Sequence, residues 1–152
     1  MILKRNTIKS LSNLEDVTII ALQSVSDNHG CLVIAEDGRH IRFPMKRFFS
    51  ASGVSPTTFR GDHAHRELNQ LLVCLSGSID VTCDDGDNKK VFRLDNPALA
   101  LHVPSGIWSK QVYQDERSVL LVVCDALYDE DDYLRDYDQF LAFRKTRFRE
   151  ST

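Results

Sequence analysis

Arg60-Gly61-Asp62-His63-Ala64-His65 precedes, by five residues, the apolar run Leu71-Leu72-Val73-Cys74-Leu75; Ser76-Gly77-Ser78 then leads into Ile79 to Cys83. A Gly-containing three-residue link between two strand-like runs is a hairpin connection. On the strand before it, side chains at i and i+2 leave from the same face, so His63 and His65 share one. A pair of imidazoles on one sheet face can hold a metal or move protons.

Working outward, the same punctuation continues. Asp27-Asn28-His29-Gly30 is a turn between a β-branched strand over Val17 to Val25 and a second over Cys31 to Ala35, a hairpin that closes at Glu36-Asp37-Gly38. Gly53 and Pro56 mark a loop before the histidine stretch. Asp84 to Asn88 is another turn, Lys90 to Leu94 and Ala98 to Val103 extend the meander, Pro104-Ser105-Gly106 turns before Trp108, and Ser118 to Cys124 reads as a buried strand. Turn signals at roughly 8- to 12-residue spacing define an all-β sandwich or barrel. Met1 to Ile8 is a candidate first strand.

The end of the chain changes period. Tyr133, Leu134, Tyr137, Phe140 and Leu141 form a helical stripe, with Asp129 to Asp132 at its N-terminal end and Arg144, Lys145 and Arg147 at the other, as the helix dipole favours. The acidic run therefore reads as structural. The tail is a short amphipathic helix on a β body, and residues 1–152 form a single domain.

A chain of 152 residues buries about 68–70% of its unfolded surface. Its net charge of −3, from 19 basic and 22 acidic residues, gives no general attraction to nucleic acid or to an anionic membrane. An anionic ligand has to be met by a local positive cluster. Cys31, Cys74, Cys83 and Cys124 lack the spacing of a zinc or redox site and read as reduced core residues. Val17 to Leu22 is too short for a signal core or a membrane span, which points to the cytoplasm.

An antiparallel body with a Gly-x-His-x-His strand resembles the cupin superfamily, which implies a jelly-roll β-sandwich or barrel. Metal-binding cupins add a Glu a few residues on and a third His after the Pro-x-Gly turn. Here Asn69 or Gln70 and Ser109 occupy those positions, and amide or hydroxyl groups are poor transition-metal ligands. The expectation is a metal-free site in which His63 and His65 transfer protons near neutral pH. His29, His40 and His102 are isolated and read as structural or surface residues.

Further blocks make the resemblance narrower. Asp27-x-x-Gly30-x-Leu32-Val33, Lys46-Arg47, Arg60-Gly61-x-His63-Ala64-His65, Gln70-x-Leu72-Val73-Cys74-Leu75-x-Gly77-Ser78, Asp84-Asp85-Gly86, Leu94-Asp95-x-Pro97, Trp108 and Tyr128-Asp129-Glu130-x-Asp132-Tyr133-x-Arg135-x-Tyr137-Asp138 run in order over most of the chain. Together they are similar to the 3,4-ketoisomerases of thymidine-diphosphate-linked 4-keto-6-deoxyhexoses. The resemblance implies an isomerase of deoxysugar biosynthesis for a surface glycan or glycosylated metabolite. It also implies no cofactor, a nucleotide-sugar substrate and a homodimer.

It implies too that one of His63 and His65 is the base and the other a proton shuttle, the order being open. Arg60 meets the enediolate or the diphosphate, and Lys46 and Arg47 are candidates for the diphosphate or for a surface ion pair. Trp108 packs against base or sugar, or anchors the core. Phe48 and Phe49 stand where tyrosines are common, Ser109 where a His is common, and His29 where an Arg is usual. A related 3,5-epimerase and a non-catalytic sugar-nucleotide binder are the competing readings.

Overall fold

The computed structural model describes residues 11–150, with side chains described to residue 147, so the expected strand at Met1 to Ile8 lies outside the described residues. Twelve strands and one helix follow: β1 Thr18–Ala21, β2 Gln23–Asp27, β3 Gly30–Ile34, β4 Arg47–Ala51, β5 Phe59–His65, β6 Gln70–Ser76, β7 Ile79–Asp84, β8 Lys89–Leu94, β9 Leu99–Val103, β10 Trp108–Tyr113, β11 Val119–Cys124, β12 Tyr133–Leu134 and α1 Tyr137–Glu150. Two five-stranded sheets, ordered β1-β9-β6-β11-β4 and β12-β5-β10-β7-β8, form the two layers of the jelly roll; β2 and β3 pair as a separate hairpin.

The strands' residue patterns follow from which faces are covered. β6 and β11 lie inside the first sheet. Leu72, Cys74, Leu120, Val122 and Cys124 fill the core between the sheets, while Leu71, Val73 and Val123 meet Leu22, Ile41 and Ala100 on the sheet's other face. Burial on both faces requires the unbroken apolar runs seen in the sequence. Along most of β7 one face is buried, so Ile79, Val81 and Cys83 alternate with the half-buried Asp80 and Thr82; Asp84 at its end is buried and accepts the Tyr137 hydroxyl of α1.

Helix α1 covers the outer face of the second sheet, where Phe140 packs with Ala64, Trp108 and Leu134. Arg144 anchors it by donating from Nη1 to the carbonyls of Ser12 (2.9 Å) and Gly106 (2.7 Å). Gly106 N–H in turn donates to the His65 carbonyl at 2.7 Å. The helix thus holds the Pro104-Ser105-Gly106 turn, and the turn holds the end of the histidine strand.

Three expectations change. The helix does not begin at the acidic run: Asp129 caps a 3-10 turn over Glu130–Asp132, and Tyr133–Leu134 pair with His65 and Ala64 before α1 starts. The strand expected over Val17 to Val25 breaks at Leu22, whose side chain turns into the second cluster and whose N–H bonds Ala98. Cys31 is exposed on the hairpin, whereas Cys74, Cys83 and Cys124 are buried and free.

Candidate active site

β4 is the edge of the first sheet, and β5, on the second, is covered only by the two-residue β12. The sandwich is open there. Arg47 of β4, His65 of β5 and Tyr133 of β12 line one cavity of about 500 Å³, together with Asp132, Leu68 and Asp125 to Leu127.

The local backbone decides which side chains share one face of β5 beside this opening. In β5 against β10, His63 lies opposite Ser109, Gly61 opposite Lys110 and Arg60 opposite Gln111, so one extra residue sits in β5 at Asp62. Arg60 and His63, three apart, would face opposite ways on a regular strand. The bulge puts both on the face of Ser109 and Gln111. Gly61 and Asp62 take positive φ, 75° and 62°, and Asp62 is the only non-glycine among the described residues to do so. Trp108 holds that conformation, donating its indole N–H to Asp62 at 3.1 Å.

His65 is 5% exposed. Its Nδ1 lies 3.0 Å from an Asp132 carboxylate oxygen, and its Nε2 is buried with no hydrogen-bond partner. Asp132 also accepts the backbone N–H of Glu67 (2.7 Å) and Leu68 (3.3 Å). Burial pulls the Asp132 carboxyl upward, but the His65 ring and those N–H groups outweigh it and hold it below the usual carboxylate range. An ionised acceptor at Nδ1 places the ring's proton there and leaves Nε2 as the basic nitrogen.

His63 stands edge to face with His65, ring centroids 5.0 Å apart. Burial first, and the His65 imidazole second, lower the His63 pKa to about 4. It is therefore a neutral imidazole at physiological pH. Tyr133 walls both rings at 4.9 and 4.4 Å, and Arg135, paired with Glu130 through two hydrogen bonds, lies 4.2 Å over the Tyr133 ring.

Arg47 is half-buried between the rings of Phe49 and Tyr128, at 5.5 and 5.6 Å. Its Nη2 reaches the Cys124 sulfur at 3.6 Å, and its buried Nε has no partner. None of the ion pairs among the described residues includes Arg47 or Arg60. A desolvated guanidinium without a carboxylate is prepared for an anionic ligand.

The structure thus brings Arg47 and His65 onto one cavity, with His63 beside the His65 ring and Arg60 farther along the same face of β5. Lys46 is exposed just before β4, and of the expected site residues Lys46, Arg60, His63 and Trp108 are not among those lining the cavity. Asn69 is committed to Asp125 and to the Ser105 N–H, and Ser109 to Gln111. Among the described residues, no group of three His, Cys, Asp or Glu side chains converges as a metal-binding set. Asp132 and Tyr133 were missed by the sequence reading; the only signal for them was the block from Tyr128 to Asp138.

Fold and site define a cupin-type β-sandwich whose open edge carries a His–Asp pair, a second neutral imidazole and an unpaired guanidinium, the equipment for proton transfer on an anionic substrate. The chain belongs to the FdtA family, described as WxcM-like, C-terminal, whose model matches residues 15–145. It is 38% identical over 125 residues (80% of this chain, 88% of the relative) to a TDP-4-oxo-6-deoxy-alpha-D-glucose-3,4-oxoisomerase from Aneurinibacillus thermoaerophilus. Among solved structures, a sugar 3,4-ketoisomerase from Thermoanaerobacterium thermosaccharolyticum in complex with TDP superposes with a TM-score of 0.86 and 33% identity, over 90% of this chain and 99% of that one. A TDP-quinovose 3,4-ketoisomerase from Campylobacter jejuni gives 0.80 and 32%, over 84% and 98%.

Proposed function

We propose that the protein is an isomerase that converts a TDP-linked 4-keto-6-deoxyhexose to its 3-keto isomer. The observation that carries this reading is the bare, buried Nε2 of His65 beside the neutral His63, in a chain 38% identical to an enzyme named for that reaction.

The C4 ketone acidifies the hydrogen on C3. One imidazole takes that proton as the electrons move toward the C4 oxygen, an enediol forms, and a proton returned to C4 leaves the ketone at C3. Burial keeps His63 an uncharged acceptor at neutral pH, and Asp132 fixes the tautomer of His65 with Nε2 as its accepting nitrogen. Arg60 meets the negative charge that builds on the enediolate, a role suited to preorganised charge. Arg47 takes the diphosphate, with Lys46 adding charge at the rim. Trp108 acts at one remove: it holds Asp62, and with it the bulge that aims Arg60 and His63.

The proposal includes turnover without metal or redox cofactor, since the net change moves only protons and electrons within the sugar. It places the protein in the cytoplasm, in deoxysugar biosynthesis for a surface glycan; no helix among the described residues is long and apolar enough to cross a membrane. It also includes a homodimer. The β2–β3 hairpin leaves Val25 51% and Leu32 60% exposed, and a two-stranded hairpin is marginally stable until something covers it.

The test is a proton NMR time course of the protein with TDP-4-keto-6-deoxyglucose in heavy water. Appearance of a 3-keto product with deuterium at the migrated position, and silence from His63→Ala, supports the reading. Exchange at C5 moves the assignment to epimerisation, and binding without exchange makes the protein a binder.

A further inference from the structure

Arg47, Cys124 and Gln70 stand opposite one another across β4, β11 and β6, so their side chains form one row on the inner face of the first sheet. The row runs inward from the open edge. Arg47 lines the cavity, and behind it Cys124 is fully buried and Gln70 7% exposed. The Cys124 sulfur receives both neighbours: Arg47 donates from Nη2 at 3.6 Å and Gln70 from Nε2 at 3.9 Å.

Neither donor has a stronger partner. Among the described residues that sulfur is the one hydrogen-bond acceptor of the Arg47 side chain, whose Nε is buried and bare, and it is the one hydrogen-bond partner of the Gln70 amide. The neighbouring amides are committed elsewhere: Asn69 donates to Asp125 at 2.7 Å and accepts from the Ser105 N–H at 3.1 Å, and Gln111 donates to Ser109. A thiol sulfur is a weak acceptor. An apolar side chain would fill the place between Cys124 and Val103 without leaving buried donors so poorly matched, so packing does not account for an amide there.

From this row we infer that Cys124 is a positioning residue of the anion site: its sulfur, held in turn by Gln70, aims the Arg47 guanidinium at the cavity and yields it to a diphosphate. Cys124 acts through Arg47 and touches no substrate. Burial pushes its thiol up further than the nearby guanidinium draws it down, so the group stays protonated and uncharged at neutral pH. A carboxylate in the same place would orient Arg47 equally well, but it would cancel the charge and hold it in a charge-assisted bond that the ligand must break. The neutral sulfur gives direction and leaves the positive charge for the phosphate oxygens.

The inference rests on the reading of Arg47 as the diphosphate ligand of an isomerase, and the experiment separates the two. Titration calorimetry with TDP, and steady-state kinetics with TDP-4-keto-6-deoxyglucose, compare wild type with Cys124→Ala, Cys124→Ser, Arg47→Ala and the double variant Cys124→Ala/Arg47→Ala. The expected result for Cys124→Ala is TDP binding weakened by about 3- to 10-fold, the value of one net hydrogen bond, with the loss falling on KM rather than kcat. Cys124→Ser restores an acceptor at the same place and should bring affinity back toward that of wild type. In the Arg47→Ala background, Cys124→Ala should cost no further affinity. A packing role gives the reverse pattern: serine leaves a similar void and adds a buried hydroxyl, so it would bind no better than alanine, and the loss would persist without Arg47. Either of those results, or wild-type TDP affinity in Cys124→Ala or in Arg47→Ala, overturns the role of Cys124 and leaves the isomerase reading standing. A wild-type protein that binds TDP but never moves the ketone overturns the isomerase reading, and the affinity pattern of the variants then still decides the role of Cys124.

Discussion

His65 and Asp132 meet at 3.0 Å across 67 residues of chain, and the carboxylate that holds the imidazole also accepts two backbone N–H groups from the turn just after it. One side chain therefore orients a ring and fixes the strand end that carries it. Asp132→Asn replaces the ionised acceptor with an amide whose N–H₂ faces Nδ1, favouring the tautomer that carries its proton on Nε2. We expect kcat to fall by at least about 100-fold, the scale of losing a positioned base. Urea unfolding at pH 7 should show a loss of stability as well. The Asp132 carboxyl sits below its usual range in the folded state, so the stabilisation is in place above pH about 4 and disappears as pH falls through the lowered folded value. The stability gap between wild type and variant should shrink at the acid end; a gap that stays constant there would sink the ionised pair.

His63 gives the opposite kind of handle. Its folded pKa of about 4 lies below the 6.5 of a free imidazole, so between those two values the unfolded chain binds a proton that the folded chain refuses. Stability contributed by the neutral ring is complete above pH 6.5 and is lost as pH falls toward 4. His63→Asn should flatten that part of the urea-midpoint profile relative to wild type. The His63 ring resonances should titrate near pH 4, and an NMR midpoint near 6.5 would contradict a buried neutral ring.

Much of this fold was legible because burial and pattern agree. β6 and β11 are apolar on both faces since each is covered on both, and the β2–β3 hairpin is marked by Asp27 to Gly30. β10 escaped for the reverse reason. Its inward residues include Ser109 and Gln111, polar because they sit beside the bulge and the histidines, so the alternation that flags a half-buried strand is missing. The histidine pair was legible from spacing alone. Asp132 and Tyr133 were not: a two-residue strand carries no period, and an acidic residue within Asp129 to Asp132 looks like a helix start until the register with β5 is known. Arg60 shows the same limit, since simple alternation would turn it away from His63.

Arg47 and Arg60 should separate in kinetics. Removing Arg47 takes away a guanidinium whose neighbours are two aromatic rings and a thiol, so Arg47→Ala should weaken TDP binding by about 10- to 100-fold, the value of one or two charge-assisted hydrogen bonds. Arg47→Lys keeps the charge, loses the planar fork and should recover only part of that. Arg60→Ala should act mainly on kcat. Isothermal titration with TDP alone distinguishes them, and unchanged affinity in Arg47→Ala would remove it from the diphosphate site.

Gly61 tests the bulge itself. A Cβ there would lie 2.7 Å from both terminal side-chain atoms of Gln111, a residue only 8% exposed and hydrogen-bonded to Ser109, and the φ of 75° is one that an L side chain resists. Gly61→Ala should cost about 1–2 kcal/mol from the backbone conformation alone. Its larger effect should be on turnover. If β5 relaxes toward a regular strand, Arg60 rotates off the face of His63, and charge and base no longer address the same substrate. We therefore expect kcat/KM to fall by more than the stability change accounts for, at temperatures where the variant remains folded by circular dichroism. The double variant Gly61→Ala/Arg60→Ala should be scarcely worse than Gly61→Ala, because the arginine's contribution has already been lost. Fully additive losses would mean that the bulge does not set the direction of Arg60.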